Sequence, residues 1–167
     1  GFKSLMESYD HFAPEYAVPA GGYGLSVPNR ELVWLEAIAV RPDLVERYLE
    51  CQCVVACRYI EAMGELPIRY CMGGGDFCGN NGPNYSPQFF HEAMLPRLKR
   101  MSDTAHKHGK FTTFASDGDL WPVADDLFGA SGTDAFHEID RIAGMDHRKL
   151  RERYPNLTCF GNISTIT

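Results

Sequence analysis

Four short segments hold the side chains best suited to chemistry. The first is the glycine run Gly73-Gly74-Gly75-Asp76, continuing through Phe77-Cys78-Gly79-Asn80-Asn81-Gly82-Pro83; the second is Ser116-Asp117-Gly118-Asp119; the third is His137-Glu138; the fourth is Asn162. Without a Cβ, the glycines let backbone approach a ligand closely around Gly75 and direct Asp76 outward, with Asn80 or Asn81 as neutral hydrogen-bonding groups. Asp119 stands where it would cap a helix starting at Leu120-Trp121-Pro122, which leaves Asp117 as the site candidate of that pair. Carboxylates gathered in one pocket raise each other's pKa, which suits proton transfer or the holding of a cationic centre. His137 and Glu138 are neighbours in an expected strand, so alternation sends them to opposite faces and admits only one to the site; spacing does not choose between them.

The expected acid–base residues are therefore Asp76, Asp117 and Glu138, with Gly75, Asn80, Ser116, His137 and Asn162 as expected substrate contacts. Each has a plainer reading: a surface loop for the glycine run, a solvated turn for Asp117, a histidine bonded to a carbonyl for His137. Asp76, Asp117, His137 and Glu138 could share a divalent ion, but carboxylates at strand ends are common without one, and no metal is expected. Cys53 and Cys57 share a helix face near Cys51 with no fourth ligand close by, so buried thiols are expected there. His106 and His108 diverge on their helix and are expected only to cap it.

These groups need elements to bring them together. Short β-branched or aromatic runs at 15–19, 67–73, 110–115, 133–138 and 157–161 alternate with amphipathic helical stretches, the pattern of parallel βαβ units. The last three strands begin about 23 residues apart, room for a strand, a loop and a few helical turns. Ser86 and Pro87 mark a helix start, and Phe90, Met94, Leu98, Met101 and Ala105 form its core stripe. Pro96 should kink that helix, and His106-Lys107-His108-Gly109 should end it. Helices are also expected at 29–40 and 42–63, divided at Arg41-Pro42. Gly21, Gly22 and Gly24 do not make the dinucleotide fingerprint of an open doubly wound sheet, so the expected fold is α/β of the (β/α)8 TIM-barrel type. In such barrels the site lies at the carboxyl ends of the strands, where all four segments fall.

Composition narrows the function. The 167 residues are 44% apolar, enough for one cored domain. Sixteen basic against 22 acidic residues give a net charge of -6 with no basic cluster, which argues against nucleic acid and for a small organic substrate. No apolar run approaches the roughly 20 residues of a membrane span, and no leader pattern opens the chain, so a cytoplasmic protein with reduced cysteines is expected. Five strands are too few to close an eight-stranded barrel. Residues 1–167 are expected to be a single, partial barrel domain from the middle and C-terminal part of a longer chain, completed by further segments or by a homo-oligomer.

The blocks GDFCGNNGPNYSPQFFHEAMLPRLKRMSDTAHKHGK, ASDGDLWPVADDL, GTDAFHEI, AGMDHRKLRERYPN and FGNI, between Gly74 and Ile163, resemble in order and spacing the second half of the uroporphyrinogen decarboxylase superfamily. RPDLVERYLE at 41–50 extends the likeness upstream, to about three quarters of the chain. The resemblance implies a barrel lyase that decarboxylates the carboxylate side chains of a porphyrinogen without metal or cofactor. The superfamily also contains corrinoid-dependent methyltransferases, which makes that activity the alternative. Its thiol-activating methyltransferases carry a His-x-Cys zinc motif where this chain has Ala115-Ser116-Asp117, so zinc-dependent thiol methylation is not implied. From other classes, the alternatives are a non-catalytic ligand-binding relative and a metal-assisted lyase or hydrolase using Asp76, Asp117 and His137.

Overall fold

The helix after the glycine run buries its expected stripe along its whole length: Phe90, Met94, Leu98, Met101 and Ala105 are at most 5% exposed in the computed structural model, which describes residues 2–21 and 23–163. Gly22, one of the three glycines weighed for the dinucleotide fingerprint, lies outside the described residues. The Ser86 hydroxyl accepts from Phe89 N at 3.1 Å, capping the helix at the expected place. The break expected at Pro96 takes the form of a π-helical turn. A short helix, Pro87–Phe89, widens at Phe90–Met94 and resumes as Leu95–Lys107, which accommodates a proline that lacks an N–H and crowds the carbonyl four residues before it. Gly109 closes the end with φ of 65°.

Five strands form one parallel sheet in sequence order: β1 (Pro19–Ala20), β2 (Tyr70–Gly74), then, beyond the hairpin described below, Phe111–Ala115, Ala135–Glu138 and Thr158–Gly161. The strand expected at 15–19 shrinks to β1, because only Pro19 and Ala20 find partners on β2. A two-stranded antiparallel hairpin, β3 (Cys78–Gly79) and β4 (Gly82–Pro83), interrupts the glycine segment; it makes Phe111–Ala115 strand β5, Ala135–Glu138 β6 and Thr158–Gly161 β7. Among the described residues β1 pairs only with β2 and β7 only with β6, so the sheet stays open.

Helices α1 (Lys3–Phe12), α2 (Leu32–Val40) and α3 (Pro42–Ala62) precede β2, with the expected division at Arg41-Pro42. Helix α2 starts later than expected, at Leu32. The segments Pro87–Phe89 and Leu95–Lys107 are α4 and α5, and α6 is His147–Arg153. The helix expected from Leu120 is irregular: a tight 3-10 turn at Trp121–Val123 followed by a wider π-helical turn at Asp125–Ala130. The core lies between the helices and one face of the sheet, where Val45, Leu49, Cys53, Ala56 and Ile60 of α3 join the stripe from Phe90 to Ala105 and Cys71, Phe114 and Phe136.

The opposite face is concave. Tyr70 on β2 and Phe160 on β7 bring their rings to 6.0 Å although β5 and β6 lie between them. In a flat sheet three strand spacings alone would hold those positions about 14 Å apart across the sheet, before the four-residue offset along the strands is added. Strong curvature folds the two rings toward each other, and Thr113 and Ala135 are buried beneath them. The outer part of this face is open, with Phe111 49% and Phe160 42% exposed. No helix among the described residues is long and apolar enough to cross a membrane.

Candidate functional site

Strand register sets the site. Gly74 pairs with Ala115, Ala115 with His137 and His137 with Phe160, so the loops after β2, β5 and β6 leave the sheet at one level. Each loop opens with a carboxylate or reaches one within a few residues. Asp76, Asp117 and Glu138 each place an oxygen so that all three lie within 4.8 Å of one another, and Asp117 N donates to Asp76 Oδ1 at 3.4 Å. The three expected acid–base residues are thus neighbours at the carboxyl rim of the parallel strands.

The expectation that only one of His137 and Glu138 reaches the site is corrected. Glu138 has φ of 95° and Ile139 φ of 37°, so strand alternation ends at Glu138. The reversed backbone brings the Glu138 carboxylate to the rim beside His137, whose Nδ1 lies 3.9 Å from Glu138 Oε1. That Nδ1 is buried without a hydrogen-bond partner.

The other expected contacts separate. Gly75 stays at the rim, its N–H donating to Ala115 O at 3.0 Å, and a side chain there would meet Ser26. Asn162 also stays, with φ of 73° and its N–H directed to Glu138 O at 3.4 Å. Ser116 is fully buried, and its hydroxyl donates to Asp117 O, so it shapes the turn and does not face the opening. Asn80 sits at the exposed tip of the β3–β4 hairpin. Asp119 takes its expected local role, accepting from Trp121 N at 3.0 Å. His106 does more than cap its helix: Nε2 lies 2.9 Å from Asp134 Oδ2, which also accepts from Thr112 N.

Electrostatics follow from this crowding. Partial burial raises the Asp117 pKa, helped by the charges of Asp76 and Asp140, with His137 acting in the opposite sense. Burial likewise raises Glu138, reinforced by Asp117 and Asp76 and again opposed by His137. Two carboxyls at this rim therefore hold protons more tightly than ordinary side-chain acids. Cys78 lies under the same rim; burial, then Asp119 and Asp76, push its thiol up to about 12, which makes it a poor thiolate nucleophile or metal ligand.

Three residues of the site went unread in the sequence. Asn29 donates to the backbone oxygen of Asp76 at 2.5 Å and accepts from Asn84 Nδ2 at 2.7 Å, fixing the glycine segment from a loop 47 positions upstream. Arg30 lies 3.7 Å from Asp76 Oδ2 and is the cation nearest that carboxylate among the ion pairs of the described residues. Asp140 binds the loop after β5 through Gly118 N at 3.3 Å. Pro28-Asn29 is a turn signal, but nothing local connects it to Asp76.

Two clefts lie elsewhere. One of about 420 Å³ is bounded by Leu35, Ile38, Pro42, Tyr85 and Phe89, and one of about 540 Å³ by Trp121, Lys149, Glu152 and Arg153. Neither is lined by Asp76, Asp117 or Glu138, whose rim is open. Comparisons with protein-family models, curated proteins and solved structures find no match to this chain.

Proposed function

We propose that this chain is the wall of a uroporphyrinogen decarboxylase-like barrel and that its three rim carboxylates act on a tetrapyrrole. The single observation that carries the reading is the convergence of Asp76, Asp117 and Glu138 within 4.8 Å at the ends of sequential parallel strands. Two features favour a barrel over a doubly wound sheet: strand order never reverses, and the sheet curves enough for rings on β2 and β7 to meet. Order and spacing of the sequence blocks from Gly74 to Ile163 supply the family reading.

The chemistry suits such a substrate. Loss of CO2 from an acetate side chain replaces the carboxylate by hydrogen: R–CH2–CO2⁻ and one proton give R–CH3 and CO2. The breaking carbon–carbon bond leaves its electron pair on the side-chain carbon, and a protonated pyrrole ring accepts that pair. A carboxyl whose pKa is raised, Asp117 or Glu138, protonates the ring; once CO2 has left, the exocyclic methylene takes a proton to become methyl and the ring returns its own proton to the carboxylate, a net uptake of one proton. An ionised neighbour at the same rim stabilises the cationic ring, and no metal or cofactor is required.

Binding of a porphyrinogen, measured anaerobically, should be saturable and weakened at least about tenfold in Asp76→Asn, as expected for losing a charged partner. Saturable binding of cobalamin with none of porphyrinogen would instead support the methyltransferase alternative. Stoichiometric metal in the purified protein would support a metal-assisted lyase or hydrolase.

A further inference from the structure

Asp140 lies outside the carboxylate trio, yet both of its oxygens are committed to loops that carry it. Oδ1 accepts from Ile142 N at 2.9 Å and Ala143 N at 3.1 Å, closing the turn that follows β6. Oδ2 accepts from Gly118 N at 3.3 Å, reaching the turn that carries Asp117. The same two loops touch again where Leu120 N meets Met145 Sδ and where Trp121 Nε1 donates to Gly144 O. Gly118 has φ of 90° and sits against the Cys78 backbone, so the turn it forms has little freedom once held. On the other side, Glu138 and Ile139 are non-glycine residues at positive φ, a conformation that persists only where the surroundings fix it.

We infer that Asp140 is a positioning residue: its carboxylate clamps the Asp117-Gly118 turn to the strained end of β6, and so sets the distance between Asp117 and Glu138. Only a carboxylate performs this task, because it offers acceptors on both arms; an asparagine in its place turns an NH2 donor toward one of the two sets of N–H groups. The clamp also adds a negative charge beside Asp117. The other charged or titratable groups around Asp117 are Asp76 after β2, with Arg30 beyond it, Glu138 and His137 on β6, and Asp119 and Cys78 beneath the turn. The inference rests on the trio being the working site.

The test compares Asp140→Asn and Asp140→Glu with the unaltered protein, following carboxyl 13C shifts of Asp117 and Glu138 against pH and hydrogen exchange at the Gly118 amide. In Asp140→Asn the Gly118 amide should exchange roughly tenfold faster or more, as expected for losing a hydrogen bond to a charged acceptor. The Asp117 midpoint should fall because a like charge has gone. Asp140→Glu should keep that midpoint near its original value. A residue that merely stabilised the loop would lower the melting temperature and leave the Asp117 midpoint alone, and that result overturns the inference. If Asp140→Asn does not fold, the unaltered protein decides: the Gly118 amide shift should titrate with the Asp140 carboxyl, and independence of the two contradicts the clamp. None of these readouts involves a substrate, so a failure to bind porphyrinogen and a failure of the clamp are separate results.

Discussion

Asp117 and Glu138 both bind protons more tightly in the folded protein than ordinary carboxyls do, and the sign of that shift has a consequence for stability. A carboxyl with a raised folded pKa binds more protons in the native state than in the unfolded one, so it costs stability above the folded pKa. That stability returns as pH falls through the folded value. Asp43, Glu50, Asp125 and Asp146 are shifted the other way, chiefly by hydrogen bonds from Arg41, Arg100, Tyr154 and Lys149 N respectively, and their contributions are lost on acidification through their lower pKa values. In Asp117→Asn combined with Glu138→Gln, Tm at pH 7 should equal or exceed that of the unaltered protein. The effect should be about 1 kcal/mol or less, because solvent screens a half-open cluster. The excess should shrink on lowering the pH toward 5. A double variant less stable at pH 7, with no pH dependence in the difference, would mean that the trio is not a strained like-charge group. The acids themselves were legible because each follows a strand with little delay. Asn29 and Asp140 were not, since each acts through a contact to a distant loop that sequence spacing does not encode.

At the scale of the element, the glycines on the rim separate into those that need open backbone and those that also need empty space. Gly118 has φ of 90° and a Cβ there would come within 2.6 Å of the Cys78 backbone, whereas Gly144 has φ of 89° and nothing within 4 Å. Gly144→Ala should therefore cost about 1 kcal/mol, the conformational part alone, and Gly118→Ala distinctly more, about 3 kcal/mol, because two backbones must part. Equal losses on chemical denaturation would show that the close approach of β3 to the Asp117 turn is not rigid. The stripe from Phe90 to Ala105, the Ser86 cap and the four longer strands of the sheet were readable because periodicity and capping are local. The β3–β4 hairpin was not readable, because each strand is only two residues long and its loop, Asn80-Asn81, is not the Asn-Gly or Asp-Gly pair that marks a two-residue hairpin turn. The error over His137 and Glu138 has a physical source as well: alternation holds only while φ stays negative, and Glu138 leaves that region at the last position of β6.

Among the described residues the molecule is a curved, open parallel sheet with α3 and α5 packed on one face. Its concave face leaves Phe111 and Phe160 about half exposed, so the native protein should bind a hydrophobic dye such as anilinonaphthalene sulfonate. Phe111→Ser with Phe160→Ser should reduce the dye signal, with near-unchanged signal contradicting an open concave face. The parallel order of the strands was legible from the βαβ rhythm, whereas the curvature was not, because it arises from twist accumulated across neighbouring strands. Curvature and strand order together set the rim on which the acids meet, and the proposed activity depends on those acids. The most direct measurement is anaerobic incubation with a porphyrinogen bearing acetate side chains, counting carboxylates lost from the product by chromatography and mass. Acetate should be converted stepwise to methyl with release of CO2, and the conversion should fall about a hundredfold or more in Asp117→Asn or Glu138→Gln, the scale of a lost acid–base group. Unchanged porphyrinogen with the unaltered protein, or equal conversion by both variants, would contradict the proposed activity.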